Sequence, residues 1–222
     1  MKIRMVLGLC LFLAGAVTSF AISEADFNKV IFTNQLSDGK SIEYLFFSPS
    51  DSDYWGPDVL EKEHALKNGQ EAEFCVFYPQ ATGSFQFMAI DNQGVVYEMN
   101  AIEIKDGQAQ TVIISDRYKT KKTLESLNLS EIIMDNDTGK ELDYVFLAPA
   151  DSQMWGIELL NTERTLAPGA QVSFLVLLAG EKFDMDFLTI DAEGNNYEQL
   201  IPIGTEEDSL YFSIGQKDLS TE

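Results

Sequence analysis

The sequence predicts an all-β chain: two tandem β-sandwich domains, immunoglobulin-like or related, behind an export signal. Short runs of alternating apolar residues recur along it, separated by turn-forming residues, which is the pattern of half-buried strands. The second half repeats the first. Residues 39–98 align with residues 139–198 at a constant offset of 100, without a gap, and 21 of the 60 positions are identical. A mature chain of about 200 residues suffices for two domains of about 100 each. The period is too long for a solenoid.

In chain order, Lys2 and Arg4 precede an apolar run over residues 5–17, and Ser19-Phe20-Ala21 supplies small residues for cleavage after Ala21. Residues 1–21 therefore read as a signal peptide, and the mature protein is expected in the periplasm or outside the cell. The apolar run is too short to span a bilayer comfortably, and no later stretch could do so. Leu9 before Cys10 stands where a lipid-attachment signal needs a small residue. Residues 27–34 read as a first strand, and 35–40 as a turn rich in turn formers. A second strand runs from Ile42 through Tyr44 and Phe46, apolar on one face and partly so on the other, to Pro49, which cannot donate to a ladder.

The stretch Ser48-Pro49-Ser50-Asp51-Ser52-Asp53-Tyr54-Trp55-Gly56-Pro57-Asp58-Val59-Leu60 follows, and it returns as residues 148–160 with Pro, Asp-Ser, Trp-Gly and Leu at the same offsets. Pro57 predicts a single helical turn through Leu60. Strands are then expected at residues 72–78, 85–90, 95–104 and 111–115, with a hairpin turn at Asp91-Asn92-Gln93-Gly94. The basic run over residues 117–126 reads as a linker between domains at 22–116 and 127–222.

These motifs resemble a family of small secreted bacterial β-domains. The pattern is an apolar strand, Ser-Pro-x5-Trp-Gly-x3-Leu, Leu-x2-Gly and Asp-x2-Gly. The likeness covers residues 34–98 and 136–198, with Ala148 where the pattern has Ser. It implies export and an all-β domain, and brings with it no activity or ligand.

Charge excludes some functions. The chain has 15 Lys and Arg against 36 Asp and Glu. Because the signal carries two bases and no acid, its removal takes the formal net charge from −21 to −23. Such a surface repels nucleic acid and anionic lipid and favours cations or a basic partner. Catalytic sets are sparse. The only histidine, His64, has Arg164 as its counterpart, so a nucleophile–histidine system would lack a duplicate. One histidine and one mature cysteine cannot make an ordinary zinc site. Cys75 has Leu175 as its counterpart and reads as a small apolar residue.

Asp51, Asp53 and Asp151 are calcium candidates, since Asp51-Ser52-Asp53 opens like a calcium loop before Trp55 takes the next ligand position. No other cofactor is indicated. Trp55 and Trp155, the only tryptophans, read as anchors that cap the ends of their own sandwiches. Gly56 and Gly156 would let the backbone pass closely. Together with the differing neighbours Tyr54 and Met154, they mark the candidate binding surface. The expected function is a non-catalytic exported binding or interaction protein, its partner a protein or glycan of the cell envelope. The alternatives are a structural envelope component and a carbohydrate-active hydrolase.

Overall fold

The computed structural model describes residues 27–60, 64–78, 82–152, 154–160, 164–204 and 209–220. The expected signal peptide lies outside them. Among them no helix is long and apolar enough to cross a membrane.

The chain is all-β. Its first half forms β1 (Asn28–Asn34), β2 (Ile42–Pro49), β3 (Glu71–Phe77), β4 (Thr82–Asp91), β5 (Val95–Lys105), β6 (Gln110–Ile114) and β7 (Lys119–Thr123). The second forms β8 (Asn128–Asp137), β9 (Leu142–Pro149), β10 (Gly156–Ile157), β11 (Gln171–Leu178), β12 (Phe183–Asp191), β13 (Asn196–Ile203) and β14 (Ser209–Gly215). Each half contains two sheets. In the first these run β3-β1-β6 and β2-β4-β5-β7; in the second, β11-β8-β14 and β9-β12-β13. β6 and β14 join their sheets in parallel with β1 and β8, pairing Val112 with Phe32 and Phe212 with Met134.

Alternation sets each core. Leu45 and Phe47 of β2, with Phe85 and Phe87 of β4, turn inward against Phe32, Phe74 and Val76 of the facing sheet. The equivalents Val145, Leu147, Met185 and Phe187 meet Met134, Phe174 and Val176. Asn34 and Asn136, both fully buried, tie the two sheets of each half at the same place. The Asn34 amide donates to the carbonyls of Lys40 and Leu66 at 2.9 and 2.8 Å. That of Asn136 donates to Lys140 and Leu166, both at 2.9 Å.

The hairpin turns use the repeated Asp-x2-Gly. Asp91 Oδ1 accepts the amides of Gln93 and Val95, both at 2.9 Å, and Gly94 takes φ +75°. Asp191 receives Glu193 and Asn195 in the same way. Burial opposes ionisation of both carboxyls, but these amides and the hydroxyl of Tyr97 or Tyr197 outweigh it and hold them below the usual carboxylate range.

Two local expectations need correction. Pro57 to Leu60 is extended instead of helical: Asp58 bridges Phe46 of β2, and its side chain is committed to backbone amides there. The basic run 117–126, read as a linker, carries β7 at the edge of the β2-β4-β5-β7 sheet, where Thr123 and Lys119 pair with Val95 and Tyr97 of β5. Short turns of 3-10 helix flank it.

The outer faces of β2-β4-β5 and β9-β12 are apolar as well, which explains the doubly apolar strands. Phe46, Met88 and Ile90 cluster with Trp55 and, from the second half, Leu127, Leu129 and Leu177. Phe146, Leu188 and Ile190 cluster with Trp155 and, from the first half, Phe27 and Phe77. Each half thus covers the other's second apolar face.

Candidate functional site

The Trp-Gly stretch lies where the halves meet, and its contacts are reciprocal. Ser52 Oγ accepts the Tyr54 amide at 2.9 Å and donates to Asp151 Oδ1 at 2.6 Å. Ser152 Oγ accepts the Met154 amide at 3.1 Å and donates to Asp51 Oδ1 at 2.8 Å. Asp151 Oδ2 also accepts the Asp53 amide at 3.1 Å. Asp51, Asp53 and Asp151, the calcium candidates, thus all take part in these contacts. The serines cap the turns, and each aspartate serves the opposite half's serine. Among the described residues no group of three or more His, Cys, Asp or Glu could hold a metal ion.

The candidate binding-surface residues Trp55, Trp155, Tyr54 and Met154 take part in packing between the halves, and Met154 and Trp155 also line a cavity of about 160 Å³ with Ser152 and Asp186. Tyr54 stacks on Phe183 of the second half, with ring centroids 4.4 Å apart and 6° between planes. Its hydroxyl donates to Glu181 Oε1 at 3.3 Å. Met154, only 7% exposed, enters the first half's core. Trp55 and Trp155 are half-buried on the outer faces of their own sheets, where the other half covers them, and do not cap the sandwich ends. A Cβ on Gly56 would stand 2.3 Å from the Phe47 carbonyl oxygen. Gly156 instead takes φ +89°, which disfavours a side chain.

Beyond the glycines, each stretch pairs with the other half's edge and then departs. Gly156 and Ile157, as β10, pair with Phe77 and Val76 of β3. The Glu158 amide donates to the Cys75 carbonyl at 2.9 Å, after which Leu159 donates to Val145 in its own half. In the mirror arrangement, Asp58 donates to the Leu175 carbonyl at 2.8 Å, and Val59 to Leu45. Pro57 stands in place of Ile157, and no counterpart to β10 pairs with β11. The pattern is that of an isologous interface, in which the same patch on each unit meets itself.

Asp58 and Glu158 look divergent in sequence but have one task. Asp58 Oδ1 accepts the amides of Leu45 at 2.7 Å and Leu60 at 3.1 Å. Glu158 Oε1 accepts Val145 at 3.0 Å and Leu160 at 2.8 Å. Both are buried. Burial raises the Asp58 carboxyl to about 7 against the pull of its two amides. The one sequence signal for this pair was an acid at the same offset after Trp-Gly in both halves.

Where the stretches leave the strand edges, two adjoining clefts open across the dyad. One, of about 540 Å³, runs beside β3, with Glu71, Ala72, Glu73 and Phe74 on one wall and Leu60 and Leu66 opposite. The other, of about 360 Å³, runs beside β11 at Val172, Ser173 and Phe174, with Glu131 and Arg164 nearby. His64, Val59, Leu60 and Leu159 line both. The structure thus places His64 and its counterpart Arg164 on one concave surface, although no repeated catalytic set marked either. Cys75 is half-buried on β3 and forms no disulfide.

No protein-family model matches the chain, and no curated protein matches it. Among solved structures, the chain is similar to a carbohydrate-binding module from Eubacterium rectale in complex with maltoheptaose, with 9% identity, 87% of this chain and 95% of that chain covered, and a TM-score of 0.26. It is also similar to a candidate polysaccharide-binding protein from Bacteroides thetaiotaomicron (8% identity, 84% and 90% covered, TM-score 0.24). A third likeness is to fibronectin(III)-like modules from Clostridium thermocellum (8% identity, 81% and 92% covered, TM-score 0.21).

Proposed function

We propose that the chain is a non-catalytic binding protein of the bacterial periplasm or exterior, whose recognition surface is the pair of clefts along the dyad. One observation carries this reading. The concave surface is built from equivalent residues of both halves, with Val59 and Leu159, Phe74 and Phe174, and His64 and Arg164 all lining it. Its mixed apolar and charged lining suits recognition of a ligand by shape with a few polar contacts. The repeated tryptophans are half-buried between the halves. The partner is an envelope protein or glycan. The strongly acidic surface disfavours nucleic acid.

The test uses the immobilised mature protein, offered fractionated envelope proteins and polysaccharides. Ser173→Trp and Glu73→Trp each change an exposed cleft wall. Loss of capture by either variant, at unchanged melting temperature, supports the reading. Capture retained by both variants places recognition elsewhere and refutes it.

A further inference from the structure

We infer that the cleft beside β3 binds an extended peptide by strand addition, and that the peptide alternates basic and apolar side chains. The inference rests on the cleft being the recognition surface.

The geometry begins with the direction of the backbone groups. Within an antiparallel strand, alternate residues turn their N–H and C=O to opposite sides. The Gln70 carbonyl accepts the Asn34 amide at 3.0 Å, so the even-numbered residues of β3 face β1. Glu71, Glu73, Cys75 and Phe77 therefore face outward. Phe77 meets Gly156 of β10, and the Cys75 carbonyl takes the Glu158 amide. There the second half's chain turns away to Val145. Among the described residues, no strand lies beside Glu71 and Glu73 on that side, because β10 is the neighbour of β3 there and covers only Val76 and Phe77. The cleft of about 540 Å³ lies along this uncovered part. Glu71 to Phe74 spans about 13 Å at the usual rise per residue, enough for a strand of about four residues to continue the line that β10 begins.

Chemistry then selects the occupant. Directly opposed residues of an antiparallel pair share a face. Opposite Ala72 and Phe74, an added strand would point side chains between the sheets, towards Leu60 and Leu66. These positions call for apolar residues. Opposite Glu71 and Glu73, which are exposed, side chains would stand on the acidic outer face and call for Lys or Arg. Glu73 already touches Lys29, but both side chains are about half exposed (50% and 53%), and such a pair is weak enough to exchange. The equivalent edge of β11 carries uncharged Gln171 and Ser173 beside the smaller cleft. The acidic edge is therefore the one that discriminates.

The experiment uses the full mature protein and three blocked, fluorescent hexapeptides: alternating Lys-Val, alternating Glu-Val, and the Lys-Val peptide N-methylated at its lysine amides. Anisotropy reads affinity, and amide hydrogen exchange reads location. The Lys-Val peptide is expected to bind and to protect the Glu71 and Glu73 amides. The Glu-Val peptide should bind more weakly, and the N-methylated peptide, which lacks the backbone donors that would face Glu71 and Glu73, should not protect those amides. The double variant Glu71→Gln/Glu73→Gln, at exposed positions, should weaken Lys-Val binding by about two- to thirtyfold with its fold intact. Equal binding of the N-methylated peptide, protection away from β3, or no Lys-Val binding would each overturn strand addition. If Glu73→Trp still abolishes capture of an envelope glycan or protein while the peptides fail, the cleft remains the recognition surface and only the peptide is refuted. If Glu73→Trp and Ser173→Trp both leave capture intact, the cleft itself is refuted.

Discussion

Replacing Asp58 with Asn should stabilise the protein, and only above the acid range. Asp58 is 8% exposed, and its Oδ1 accepts two backbone amides. Burial pushes its pKa up to about 7 in the folded chain, from an ordinary value of 3.8. The folded state therefore binds this proton more tightly than the unfolded state does. Below about 4 both states are protonated and the group has no effect on stability. From about 4 to about 7 only the folded state keeps the proton, so stability falls as pH rises, and it levels off above about 7. Three pH units at 1.36 kcal/mol each give a loss of about 4 kcal/mol. Asn keeps the accepting oxygen and cannot ionise. In urea unfolding, Asp58→Asn should match the parent near pH 4 and exceed it at pH 8 by up to about 4 kcal/mol. The net charge of −21 for the whole chain is shared by both proteins to within one unit, so the general repulsion largely cancels in the difference. A difference that is flat with pH, or a variant less stable at pH 8, would refute the assignment of a protonated buried carboxyl.

Two further outcomes test the Trp-Gly stretch itself. Gly56→Ala places a methyl 2.3 Å from the backbone oxygen of Phe47; a thermal or chemical melt should show a loss of about 1–3 kcal/mol, as in other overpacked sites, and an unchanged melt would mean that the close approach is absent. A double-mutant cycle of Ser52→Ala with Asp151→Ala should report a coupling of about 1 kcal/mol across the halves, whereas additive effects would show that the 2.6 Å contact contributes nothing.

Most strands were legible because alternation and turn chemistry act locally. The Asp-x2-Gly hairpins, the inward aromatics and the end of β2 at Pro49 all follow from residues within a few positions of one another. What escaped was set by distant partners. β7, Lys119-Thr120-Lys121-Lys122-Thr123, is solvent-exposed along most of its length and carries no apolar alternation; only the backbone of β5 makes it a strand. β10 is a strand because Val76 and Phe77 lie beside it. Pro57 suggested a helical start, but the Asp58 carboxyl needs the amides of Leu45 and Leu60, which an extended path supplies. Tyr54 and Met154 differ in kind and so looked like divergent loop positions. Each is fitted to the opposite half: a flat ring against Phe183, and a flexible thioether within an aromatic-rich core. An offset of 100 reveals equivalence between residues, but it does not say that a residue's partner lies in the other copy.

That exchange accounts for what the duplication kept. If the halves were independent sandwiches on a tether, Asp51 and Asp151 would have had no shared task, and the outer faces at Phe46, Met88 and Ile90 would have been polar to stay soluble. Instead each Asp-Ser pair is half of a contact completed by the other copy, so loss of one Asp or Ser breaks one of the two serine–aspartate bonds between the halves. The Trp-Gly-x3-Leu pattern is thus an interface signature. The same exchange creates the clefts, since each stretch covers only the end of its neighbour's edge strand before returning to its own sheet. Symmetry alone would make the two edges equal. The pairing of β10 with β3 alone and Ser173 against Glu73 break that equality, leaving β3 partly extended and acidic beyond β10. A ligand that reads charge along a strand edge would therefore meet one site on this molecule, even though its scaffold is built twice.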